Sequence, residues 1–124
     1  MRPGSHTETP TLAEAAHRAV EVVDPEGDQG TEDFLVRFED RDEPLAGLQE
    51  RIEQEMAEAV GAIDPDGTDP AIQMCGAVVT YLAFRRDELT DVREDILRLA
   101  ARAEFDGSPP PAVREWLESE GVAL

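Results

Sequence analysis

The chain has 124 residues and a mass of 13.6 kDa, room for one domain of ordinary size. Its 29 acidic and 11 basic residues give a formal net charge of −18, which repels phosphate backbones and anionic lipid and so excludes direct contact with nucleic acid or a membrane surface. The one cysteine, Cys75, excludes an intrachain disulfide framework and a cysteine-based structural zinc site, and a reducing cytoplasm is the expected compartment.

Apolar residues make up 40 % of the chain and aromatic residues 5 %, so the core is built from Ala, Val, Leu and Ile. Every basic residue is arginine, and lysine and asparagine are both absent. GC-rich coding accounts for arginine over lysine but not for the excess of acid. In molar salt the Debye length is only about 3 Å, so repulsion among carboxylates is largely screened. The composition resembles that of halophile-type cytoplasmic proteins; ordinary bacterial acidity and an acidic binding surface are the competing accounts. Charge is uneven: residues 1–69 hold 19 acids and 5 arginines, net −14, while residues 70–124 hold 10 acids and 6 arginines, net −4.

Residues 1–10 are polar, carry two prolines and a glycine, and read as a disordered tail without an apolar run of signal or membrane-span length. Helix one is expected from Thr11 to about Val23, where Leu12, Ala15, Ala16, Ala19, Val20 and Val23 recur at helical spacing, and the turn cluster from Asp24 to Gly30 ends it. Thr31 to Asp40 is ambiguous. Phe34, Val36 and Phe38 alternate as in a strand, whereas Phe34, Leu35 and Phe38 share a helical face behind a Thr31 cap; a strand would need Ala19–Val23 as its partner, so a short helix is preferred.

From Pro44 to Ile63 the stripe Leu45, Leu48, Ile52, Met56, Val60 and Ile63 predicts one amphipathic helix, with Pro44 in its first turn and Asp64-Pro65-Asp66-Gly67 as its stop. Asp69 caps the next helix and Pro70 opens it. Ala71 to Phe84 has only Gln73 and Thr80 as polar side chains, so this segment, about 70–86, should be buried on nearly all sides, and it is too short to cross a bilayer. Thr90 is a candidate cap for a fourth long helix with Val92, Ile96, Leu99, Ala100 and Ala103 inward and Arg93, Arg98 and Arg102 mostly outward, ending near Phe105. After Pro109-Pro110-Pro111, a short helix from Ala112 to Glu120 should dock Val113, Trp116 and Leu117 on the bundle and stop at Gly121. No internal repeat of twenty or more residues and no phosphate-binding glycine loop is apparent.

Chemical motifs are sparse. Glu14 and His17 stand three apart on a helix, as in ferritin-like di-iron sites; the rest of such a site would have to come from a symmetric partner and from glutamates such as Glu50 or Glu53. The bland reading is a surface histidine. The acidic loops from Asp24 and Asp64 place Gln29 and Asp69 where a calcium loop needs glycine, and Leu35 and Cys75 where it needs its bidentate glutamate. Turn chemistry explains both. Cys75 lies in the most apolar helix without a motif around it, and Ser5, Ser108 and Ser119 have no histidine placed as base. Arg85, Arg86 and Arg93 form the one local positive cluster, open to a carboxylate or phosphate contact or to ordinary helix-end pairing. The Trp116 stripe could dock in trans, but docking within the chain is preferred because the tryptophan would otherwise stand exposed.

The sequence therefore predicts an all-α protein, a bundle-like single domain of four to five helices over residues 11–124, with a buried central helix and a short C-terminal one. The expected role is a cytoplasmic, non-enzymatic interaction or assembly component acting as a homodimer, with no cofactor. The alternatives are an acidic mimic that masks a basic nucleic-acid-binding surface and a dimeric di-iron protein using Glu14 and His17.

Overall fold

The computed structural model describes residues 11–84 and 93–122, apart from the side chain of Ala46. These residues form six α-helices, α1 (Leu12–Val23), α2 (Glu32–Phe38), α3 (Ile52–Ile63), α4 (Pro70–Phe84), α5 (Arg93–Phe105) and α6 (Pro111–Ser119), with a 3-10 turn at Leu45–Leu48 before α3. The fold is an all-helical bundle, as the periodicity requires. None of the described helices is long and apolar enough to cross a membrane.

α4 is the axis of the bundle: α1, α3, α5, α6 and the 3-10 turn all pack on it. Eleven of its 15 residues are buried, among them Ile72, Met74, Cys75, Val78 and Val79. Asp69 starts it as expected, its carboxylate accepting from the amides of Ala71 at 3.1 Å and Ile72 at 3.3 Å. α1 begins with a reciprocal cap in which Thr11 Oγ1 accepts from the Glu14 amide and Glu14 Oε1 accepts from the Thr11 amide.

The ambiguous segment after the first acidic loop is helical. Phe34 and Phe38, one turn apart, are both buried with ring centroids 5.1 Å apart, while Val36 is 60 % exposed. Burial thus follows the helical spacing and not the alternation.

The single helix expected over Pro44–Ile63 is a correction. Only Ile52–Ile63 is α-helical, and Pro44 lies in extended backbone with φ −62° and ψ 135°. The reason is at the start of α1, whose first amides have no partner of their own. Leu12 N donates to Glu43 O and Ala13 N to Arg41 O, both at 2.9 Å, which draws residues 41–44 alongside Thr11 as an extended strap. Arg41 secures the strap by donating to both carboxylate oxygens of Glu43 and to Glu55 on α3. The apolar stripe nevertheless keeps its inward face: Leu45, Leu48, Ile52 and Met56 are buried.

A second correction concerns α5. Its buried residues are Ile96, Leu97, Ala100 and Ala101, with Ala103 exposed and Leu99 half-buried. The inward face is therefore rotated by about one residue from the expected stripe. α6 docks as expected: Val113, Trp116 and Leu117 are buried, and Gly121 takes the left-handed backbone, φ 81°, that ends the helix.

α1 and α3 are both twelve residues long and end in the same device. Asp24 and Asp64 adopt φ/ψ of −135°/66° and −130°/68°, off the helical region because proline follows. Each backbone carbonyl accepts from a glycine amide three residues on, Gly27 or Gly67. Each carboxylate gathers the next two amides, Asp28 and Gln29 for Asp24, Thr68 and Asp69 for Asp64. Thr31 Oγ1 adds a further donor to Asp24 at 2.9 Å. Burial pushes both carboxyls up, and these hydrogen bonds outweigh it and hold them below the usual range.

Two predictions follow from this packing. A carboxyl held low stabilises the fold above its unfolded-state value, about pH 4, and that contribution is lost as pH falls through the folded-state value. Asp24→Ala and Asp64→Ala are each expected to cost about 2 kcal/mol at neutral pH and to flatten the acid limb of stability measured by urea unfolding. At the α3–α4 contact, a Cβ on Gly76 would meet Val60 Cγ2 at 2.8 Å. Gly76→Ala should destabilise by about 1 kcal/mol despite the better helix propensity of alanine, and Val60→Ala in the same chain should remove the clash, visible as non-additivity in a double-mutant cycle.

Candidate functional site

Among the described residues, hollows open between α3 and α5. Each helix packs on α4, and the α4 residues between them, Gly76, Ala77, Thr80 and Tyr81, are buried beneath the side chains of the bundle. Two adjoining hollows of about 260 and 430 Å³ make up the groove, and Glu53, Ala77 and Glu104 border both. The narrower hollow lies among Met56, Val60, Gly76 and Phe105; the wider reaches Tyr81, Phe84 and Leu99. Floor numbers rise along the groove while those of both walls fall, so α3 and α5 run opposite to α4.

Sequence explains why the groove stays open. α3 presents Ala57 and Gly61 on its groove side, α4 presents Gly76 and Ala77, and α5 presents Ala103, small residues beside the larger Met56, Val60 and Phe105. Phe84, at the end of α4, is 50 % exposed, one of two large hydrophobic residues so exposed among those described. Two carboxylates, Glu53 on α3 and Glu104 on α5, face the middle of the groove. Loss of hydration among its neighbours pushes the Glu104 carboxyl up, although the side chain is exposed, and the charge of Glu53 adds to it. Arg102 stands on the α5 wall of the wider hollow. The arrangement exposes Phe84 at one end and sets two carboxylates across its middle.

The residues singled out from sequence lie elsewhere. Glu14 is engaged in the α1 cap and is exposed, as is His17; the pair points away from the bundle interior, where ferritin-like sites are built. Among the described residues no group of three or more His, Cys, Asp or Glu side chains is gathered to hold a metal. Arg85 and Arg86 lie outside the described residues, as do Thr90 and Val92. Cys75 is fully buried, and burial pushes its thiol far up, with the charges of Asp24 and Asp69 adding to the shift, so it is held as an inert thiol. Trp116 is 8 % exposed, and its Nε1 donates to Gln29 Oε1 at 2.6 Å, tying α6 to the first acidic loop.

Arg93 is the largest departure from expectation, since it points inward. Its Nε donates to the Val22 carbonyl, and its Nη2 donates to the Val23 carbonyl at 3.4 Å and to Glu120 at 2.6 Å. α1 has no basic residue in its last turn, so α5 supplies the cation that the end of α1 favours, and Glu120, just past α6, completes the tie. Arg93 is thereby engaged within the chain.

Of the groove residues, only Glu53 was marked by sequence, and for a different role. Two signals were available: a phenylalanine ending an otherwise buried helix, and small residues at positions 57 and 61 beside the apolar stripe of α3. Comparison with known protein families, with curated proteins and with solved structures finds no match for this chain.

Arg93→Ala is expected to lower stability by about 2 kcal/mol in urea unfolding followed by circular dichroism. Arg93→Lys should recover less than half of that, because an ammonium group lacks the planar fork that reaches two carbonyls and a carboxylate together.

Proposed function

We propose that this protein is a non-enzymatic interaction or assembly component of the cytoplasm, working through apolar surface that its own bundle leaves uncovered. The observation that carries the reading is the half-exposed Phe84 at the end of α4. Small helical domains bury their apolar faces against themselves or against partners. The acidity is assigned to the solvent in which the protein works: molar salt screens the repulsion that a net charge of −18 imposes on a compact chain.

Two measurements test the reading. Raising KCl from low millimolar to several molar should increase the thermal midpoint, followed by the emission of the buried Trp116; a midpoint that falls or stays level would assign the acidity to a binding surface instead. Sedimentation equilibrium at low micromolar protein in molar KCl gives the oligomeric state. Twice the 13.6 kDa chain mass would establish the expected homodimer, whereas a sharp single-chain mass removes it and leaves that surface for a different occupant.

A further inference from the structure

We draw no further inference here: the strongest candidate, the apolar patch at the end of α4 where the half-exposed Phe84 lies near Leu99, already belongs to the interaction reading above, and nothing in the structure shows what covers it.

Discussion

The removal of α4 from water is the constraint on which the rest of the structure depends. A fifteen-residue helix with eleven residues buried cannot be covered by one neighbour, so the bundle is arranged around it rather than beside it. Burying one Val, Leu, Ile or Met side chain contributes about 1.5–3 kcal/mol, and α4 brings Ile72, Met74, Val78 and Val79 into the same core. With only six aromatic residues in the whole chain, no other element has a comparable apolar surface. The surrounding helices can therefore be short, polar on their outer faces and acidic.

The acid is not passive in this arrangement. Asp24 and Asp64 use their carboxylates to end helices, Asp69 and Glu14 to begin them, and Glu43 and Glu55 to hold Arg41 on the strap that satisfies the first amides of α1. These are local hydrogen bonds to backbone amides or to a guanidinium, and they explain where particular acids sit. Among the described residues they leave most of the acids without such a task, which is why the solvent enters the proposed account of charge.

Periodicity made most of the fold legible, because helix formation and burial are written in the same spacing. Helix α4 with its Asp69 cap, the Trp116 face and the Asp-Pro stops could all be read from neighbours a few residues apart. The three errors share a cause. Pro44 leaves the helix because amides of Leu12 and Ala13, more than thirty residues earlier, need carbonyls. Arg93 turns inward because the end of α1 needs a cation, and the rotation of α5 brings Leu97 and Ala101 inward where Ala103 was expected. Each depends on a partner distant in sequence. The groove was illegible for the same reason: it is a gap between α3 and α5, and no single helix pattern records which of its neighbours stay apart.

The Arg93 tie joins residues 71 and 27 positions apart in the chain. Contacts of that separation close large loops and form only when the helices they join are already placed. The guanidinium is expected to join late, as a latch on a bundle that α4 organises. A contact made late is expected to slow the opening of the native state rather than to speed its formation, which would tie the lifetime of the folded protein to one side chain remote from the hydrophobic centre.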